Sequence, residues 1–147
     1  MSPELFGQMI LPRLKRMVEV IHEEGALVIK HSDGNIYPIL EAIASCGADG
    51  LNPIEPVVGM DLATTKKLVG DRVALVGNVD CGQLLSHGTI QEVRQAVRKC
   101  IADAGPGGGY LLCSSNSIHS SCKPENLVAM VKAGLEFGTY PLQMAND

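Results

Sequence analysis

Four short apolar runs alternate with helical patterns along this chain, and that alternation constrains the fold more than any other feature of the sequence. The runs cover residues 26–30, 50–54, 73–77 and 110–113. They follow one another at a spacing of about 22 to 37 residues, which leaves room for a helix between successive strands. Such a rhythm predicts right-handed β-α-β crossovers and a parallel sheet. The run at 73–77 is short and uninterrupted, as is typical of a strand that is buried on both faces.

Helical periodicity and end signals predict the remaining elements. Asp61 and Thr89 stand as N-caps, and Glu92 occupies the capping-box position after Thr89. Pro12 is expected to kink or divide the first helix. The glycine-rich segment 105–109 precedes a strand rather than a helix, which indicates a turn and not a phosphate-binding loop. The predicted helices cover residues 3–24, 36–45, 62–69, 90–103 and 124–136.

An initial helix and four βα units amount to half of an eight-stranded TIM barrel. We therefore predict an α/β fold, a half-barrel of four parallel βα units that forms one domain over residues 1–147. An open four-stranded sheet has two bare edges. The pattern thus predicts either an N-terminal half that is absent from this sequence or a pairing of chains, as a homodimer or with a partner half-barrel.

Composition excludes several classes of protein. Hydrophobic residues make up 46% of the chain and charged residues 19%, as in a globular domain. A net charge of −4, three Tyr, two Phe and no Trp argue against a nucleic-acid partner. No apolar run approaches the roughly 20 residues of a membrane helix, and the N-terminus lacks the plan of a signal peptide. Five cysteines without a CxxC pair indicate reduced thiols in a cytoplasmic protein and exclude a thiolate zinc knuckle.

Polar side chains follow each apolar run. Because the carboxyl ends of parallel strands lie at one edge of a sheet, these side chains are expected to converge. A histidine, carboxylates and amides at one edge suit a metal site or an acid/base site. Considered alone, each of these polar residues could equally be a solvent-exposed residue at a strand end or a residue that hydrogen-bonds to the backbone of a turn. The converging residues are His31, Asp33, Glu55, Asn78, Asp80, Asn116 and His119.

Several segments together resemble a known family, the uroporphyrinogen decarboxylase superfamily, in its C-terminal half. The likeness runs from Ser2-Pro3-Glu4-Leu5-Phe6 to Phe137-Gly138. It is strongest at His31-Ser32-Asp33-Gly34-Asn35, Gly47-Ala48-Asp49-Gly50-Leu51-Asn52, Val76-Gly77-Asn78-Val79-Asp80 and Lys123-Pro124-Glu125-Asn126. The superfamily includes corrinoid-linked methyltransferases. The resemblance implies a TIM-type barrel whose N-terminal half lies outside this sequence.

The resemblance also implies roles for the converging residues. The methyltransferase branch binds zinc through a His-x-Cys pair, often a Glu, and a Cys after the last strand. His31 and Glu55 match the His and the Glu, whereas Asp33 stands at the first Cys and Asn116 at the second. Zinc accepts carboxylate ligands, so His31, Asp33 and Glu55 are predicted to hold a metal or to polarise the acceptor, with His119 as a further candidate ligand. In this scheme Asn78 and Asp80 bind a heterocyclic ligand, and Asn116 and His119 close the site.

The leading hypothesis from the resemblance is an enzyme, active as part of a complete barrel, that transfers a methyl group. A corrinoid, held by a corrinoid protein, is the expected partner, with tetrahydrofolate or a thiol as the acceptor. The first alternative is uroporphyrinogen decarboxylase, a carboxy-lyase of porphyrin biosynthesis. That branch carries Gly-His-Gly after the last strand, where this chain has Ser115-Asn116-Ser117. The second alternative is a non-catalytic half-barrel that acts in binding or assembly.

Overall fold

A single parallel sheet forms the centre of the molecule in the computed structural model, which describes residues 1–142. Its strands pair in the order β1-β2-β3-β4, and every pair is parallel. This confirms the predicted α/β class and the sequential order of the strands. The strands are β1 (Ile29–His31), β2 (Gly50–Asn52), β3 (Ala74–Val79) and β4 (Tyr110–Ser114).

Seven α-helices, one π-helical segment and two 3-10 segments surround the sheet in the described part of the chain. The first predicted helix is continuous, but it passes through a π-helical segment just before Pro12. The α-helices are α1 (Pro3–Leu5), α2 (Leu11–Glu23), α3 (Leu40–Ala44), α4 (Leu62–Val69), α5 (Leu84–His87), α6 (Ile90–Ala104) and α7 (Pro124–Phe137). The π-helical segment is Phe6–Ile10, and 3-10 segments cover Tyr37–Ile39 and Pro56–Val58. No helix in this part of the chain is long and apolar enough to cross a membrane.

The structure confirms the predicted N-caps of two helices. The predicted strand boundaries agree with it less closely. Asp61 caps α4 through the Thr64 N–H, and Thr89 with Glu92 forms a capping box at α6. The first strand was expected at 26–30 but covers Ile29–His31, because the Val28 N–H donates to the Asp49 carboxylate instead of entering the ladder. The short helix α5 was not predicted.

The packed core lies between the sheet and the helices. Leu51, Leu75 and Val97 belong to its largest cluster and are at most 1% exposed. By contrast, Ile29 on β1 is 53% exposed and Leu111 on β4 is 49% exposed. The two edge strands therefore present apolar side chains that no element of the described chain covers.

Asp49 anchors the start of β1. Its Oδ2 accepts hydrogen bonds from the Val28 N–H at 2.7 Å and from His22 Nε2 at 2.8 Å. The Val28 N–H first, and His22 second, lower the pKa of Asp49 from its ordinary value of 3.8. Both bonds favour the ionised carboxylate.

We expect the stability conferred by Asp49 to be present at neutral pH and lost in acid. Since the folded pKa lies below 3.8, this contribution is complete above that pH and disappears as pH falls through the folded value. Asp49→Asn should lower the unfolding midpoint at neutral pH and flatten its fall toward about pH 2. Urea unfolding across that pH range measures both effects. Asp71→Asn is the control, since the Asp71 side chain is 80% exposed; equal curves for the two variants would contradict the assignment.

Candidate functional site

A continuous series of close polar contacts crosses the carboxyl end of the sheet. Asn116, after β4, donates through Nδ2 to Asp33 Oδ1 at 3.0 Å. The same oxygen of Asp33 lies 3.1 Å from Nε2 of His31, the last residue of β1. His31 Nδ1 lies 2.6 Å from Asn52 Oδ1, and Asn52 Nδ2 donates to the Val76 carbonyl at 3.0 Å. The loops that follow the two edge strands thus meet over the sheet, as the sequence predicted for His31, Asp33 and Asn116.

At each end of this series of contacts, a backbone group determines the orientation of the neighbouring side-chain amide. The Asn52 amide must present its NH₂ to the Val76 carbonyl, so its oxygen faces His31 and His31 Nδ1 carries a hydrogen. At the other end, the Ser117 N–H donates to Asn116 Oδ1 at 2.7 Å, which leaves the Asn116 NH₂ for the carboxylate. Both amide orientations follow from these backbone partners.

The contact between His31 and Asp33 brings a ring nitrogen to within 3.1 Å of a carboxylate oxygen. With a hydrogen on Nδ1, a neutral imidazole presents the lone pair of Nε2 to the Asp33 carboxylate. A proton placed between Nε2 and Oδ1 converts that contact between two acceptors into a hydrogen bond. Both side chains are exposed, so the pair is open to a substrate. The arrangement suits general acid/base chemistry.

Glu55 joins the loop after β1 to the loop after β2. One of its carboxylate oxygens accepts the Gly34 N–H at 2.7 Å. Gly34 has a φ of +86°, which lets the chain turn directly behind Asp33. A second hydrogen bond joins the same two loops, since Asn35 Nδ2 donates to the Val58 carbonyl at 3.2 Å. Glu55 therefore positions the loop that carries Asp33.

Asn78 is turned toward the helices. It is 9% exposed, its Nδ2 donates to the Ile54 carbonyl at 2.9 Å, and its Oδ1 accepts from Cys100 Sγ at 3.3 Å. Burial raises the pKa of the Cys100 thiol, so the thiol keeps the proton that it donates. Both amide atoms of Asn78 are thus engaged within the fold.

The side chains of Asp80 and His119 make no hydrogen bond to His31, Asp33 or Asn116 in the described part of the chain. Both carboxylate oxygens of Asp80 accept backbone N–H groups, from Gly82, Gln83 and Leu84, at the start of α5. His119 is exposed in the loop after β4. Their assignment to ligand binding, like that of Asn78, stays a prediction.

The proposed metal ligands do not form a ready-made site. In residues 1–142, no three His, Cys, Asp or Glu side chains are grouped closely enough to hold an ion. His31 has both ring nitrogens in hydrogen-bond contact, one of them a donor to Asn52, and Glu55 is bonded to the loop. This donor set does not fit a preformed zinc centre. Zinc at His31, Asp33 and Glu55 stays a prediction that the arrangement does not support.

Asn52 is the functional candidate that sequence reasoning missed. Its position inside an expected strand, 50–54, led us to treat it as part of the ladder. The strand ends at Asn52, which pairs with His31 in the register of β1 and β2. A polar residue immediately before Pro53 was the signal available, since proline interrupts a ladder.

Comparisons with known proteins agree with the observed fold. The family model for uroporphyrinogen decarboxylase (URO-D) matches residues 1–137. The chain is 31% identical to a uroporphyrinogen decarboxylase of Dichelobacter nodosus, over 87% of this chain and 35% of that protein. It is also 31% identical to a methylcobamide:CoM methyltransferase of Methanosarcina barkeri, over 93% of this chain and 38% of that protein.

Among solved structures, a methyltransferase from Methanosarcina mazei superposes with a TM-score of 0.82 at 29% identity. The match covers 95% of this chain and 39% of that chain. The fold of that methyltransferase is the TIM barrel. The present chain therefore spans well under half the length of the relatives that it matches.

Proposed function

The chain belongs to the uroporphyrinogen decarboxylase family, and from that premise we propose that it supplies the catalytic edge of a methyl-transfer enzyme. The methyl donor in this proposal is a methylated corrinoid, and the acceptor is a thiol or tetrahydrofolate. The contact between His31 Nε2 and Asp33 Oδ1, 3.1 Å apart at the mouth of the sheet, is the observation that carries the proposal. The likeness to the Methanosarcina methyltransferases supports it.

The charges at the mouth favour methyl transfer over decarboxylation. Porphyrinogens carry several carboxylates, which are held best by arginine and lysine side chains. The polar groups that converge here include the carboxylates of Asp33 and Glu55, and the neighbouring Lys30 directs its ammonium to the His31 carbonyl. An acidic edge disfavours a polyanionic substrate.

The His31–Asp33 pair acts in this proposal as the proton acceptor. The methyl group leaves the corrinoid without the bonding electron pair, which stays with the cobalt, and it bonds to the nucleophilic atom of the acceptor. A thiol acceptor must lose its proton in the same process, and that proton moves to the space between His31 Nε2 and Asp33 Oδ1. Asn52 holds the imidazole in the tautomer that makes this transfer productive. No step passes through a metal ion held by this chain.

Methylcobalamin provides the direct test. Incubated anaerobically with coenzyme M or tetrahydrofolate and the complete barrel that contains this chain, methylcobalamin should lose its visible absorption band as the acceptor becomes methylated. Mass spectrometry of the acceptor identifies which of the two is used. Absence of methylated product with both acceptors, in a preparation that is folded by circular dichroism, would overturn the proposal.

Uroporphyrinogen decarboxylation is the second candidate, favoured by the match to the decarboxylases of Dichelobacter nodosus and, at 30% identity, of Thioalkalivibrio sulfidiphilus. It predicts release of CO₂ from uroporphyrinogen and formation of coproporphyrinogen. Chromatography of the oxidised porphyrins measures that product. Its formation without methyl transfer would replace the first candidate by the second.

A further inference from the structure

His31 is fixed by its own strand and by the strand beside it. It is the last residue of β1 and stands opposite Asn52 of β2 in the register of the sheet. The peptide group that follows His31 is held as well, because the Ser32 N–H donates to the Asn52 carbonyl at 2.8 Å. Together with the contact between the ring and the Asn52 amide, these bonds define where His31 Nε2 lies.

Asp33 lies beyond the end of β1 and depends on a different support. Its side chain is 56% exposed, so close packing does not hold it in place. Asn116 reaches the Asp33 carboxylate, but from an exposed position in the loop after β4. The peptide group that follows Asp33 is held by a side chain, since the Gly34 N–H donates to Glu55 Oε2 at 2.7 Å. The bond to Glu55 is therefore the tether on the Asp33 backbone.

Gly34 needs this tether because its backbone has unusual freedom. Its φ is +86°, and a Cβ placed there would meet no heavy atom within 4 Å. Neither a side chain nor a close neighbour therefore restricts this residue. Glycine populates positive and negative φ about equally, so an untethered Gly34 would sample several orientations of the peptide group after Asp33. The chain is fixed again at Ile36, which is 4% exposed in the largest apolar cluster.

We propose that Glu55 is a positioning residue of the methyl-transfer site, which acts by holding Gly34 and uses no negative charge. Its oxygen keeps the Asp33 carboxylate 3.1 Å from His31 Nε2, where the acceptor's proton is received. The effect on turnover rests on the proposed function. This role replaces that of metal ligand, which the resemblance implied for Glu55, with one in which the carboxylate contacts the backbone.

Two substitutions separate the reach of the Glu55 side chain from its charge. Glu55→Gln removes the charge and keeps an oxygen at the same distance along the side chain, which can accept the Gly34 N–H. Glu55→Asp keeps the charge and shortens the side chain by one methylene, about 1.5 Å, which leaves its oxygen out of hydrogen-bond reach. A residue that bound a cation or accepted a proton would instead lose its function in Glu55→Gln.

The complete barrel that contains this chain provides the assay, with methylcobalamin and either coenzyme M or tetrahydrofolate. Glu55→Gln should keep a kcat close to that of the wild type. Glu55→Asp should lower kcat by about 10- to 100-fold, because a misplaced carboxylate no longer meets the reacting groups. The KM for the acceptor should change much less, since Glu55 does not contact the acceptor in this proposal. Nitrogen NMR of the His31 ring should show wild-type signals in Glu55→Gln and displaced signals in Glu55→Asp.

Glu92→Asp is the matched control. Glu92 Oε2 also accepts a backbone N–H at 2.7 Å, from Thr89 in the capping box of α6. The same shortening therefore breaks the same kind of bond, but in a helix cap. Thermal unfolding should show a loss of stability in this variant, whereas kcat and the His31 ring signals should stay at their wild-type values.

Loss of kcat in a folded Glu55→Gln variant, comparable to that in Glu55→Asp, would overturn the proposal, because the charge would then be required. Wild-type kcat together with wild-type His31 signals in Glu55→Asp would overturn it as well. If Glu55→Asp does not fold, the kcat and the ring signals of Glu55→Gln decide the question.

A barrel that transfers no methyl group would contradict the proposed function and leave the His31 ring signals as the test of positioning. Signals that are displaced in Glu55→Asp and unchanged in Glu55→Gln would then support the tether. Signals that are alike in the two variants would overturn it.

Discussion

Gly77→Ala is expected to lower the free energy of unfolding by more than about 3 kcal/mol, a large share of the stability of a domain of this size. A Cβ at Gly77 would stand 2.0 Å from the carbonyl oxygen of Pro53 and 3.0 Å from its carbon. These are backbone atoms at the junction of β2 and β3, so no rotation of a side chain relieves the overlap. The residue also has a φ of +152°, which L side chains rarely adopt.

Urea unfolding followed by circular dichroism measures this loss. Gly7→Ala provides the control, because a Cβ there meets no heavy atom within 4 Å and the residue lies in a helical segment. That variant should be as stable as the wild-type chain or more stable by up to about 1 kcal/mol. A Gly77→Ala chain that unfolds at the wild-type urea concentration would show that the close approach of β2 and β3 at this point is not required.

His31→Ala should reduce methyl transfer by about 10² to 10⁴-fold while leaving the fold intact. The substitution removes the imidazole that lies between Asn52 and Asp33, so the Nε2 lone pair that receives the acceptor's proton in this proposal is lost. His31 is exposed and lies outside both apolar clusters, so its loss creates no cavity. The thermal midpoint should therefore change little.

The rate of methylcobalamin consumption at saturating thiol measures this effect, and His87→Ala is the control. His87 is an exposed histidine at the end of α5, far along the chain from the hydrogen-bonded network. The His87→Ala variant should retain full methyl-transfer activity. Nitrogen NMR of the His31 ring adds an independent readout, since Asn52→Leu should abolish the fixed Nδ1–H signal that the structure requires. Unchanged turnover in His31→Ala would discard the assignment of the proton acceptor.

Most of the fold could be predicted because its signals are local. The caps of α4 and α6 depend on side chains within three residues of the helix start, and both are present as expected. The strand at 73–77 was recognised from an uninterrupted apolar run, and the structure extends it to Val79. The start of β1 could not be placed in this way, because it depends on Asp49, which lies 21 residues from Val28.

The sequence predicted where the candidate site lies in the fold. It predicted only some of the contacts that its side chains make. Periodicity places a residue at one end of a parallel sheet, which is why His31, Asp33 and Asn116 were expected together. It does not say whether a side chain points to the mouth or to the helices. Asn78 shows the difference, since its amide is bonded to Ile54 and Cys100.

The sequence by itself determined a parallel α/β sheet and the end of that sheet at which polar residues gather, because strand and helix periods are properties of short segments. Tertiary structure alone decided that Asn116 bonds to Asp33 across 83 residues of chain, that Asn52 fixes the His31 tautomer, and that Glu55 holds a loop. Those contacts depend on the curvature of the sheet and on side-chain rotamers. Both are set by the packing of the whole molecule rather than by any one segment.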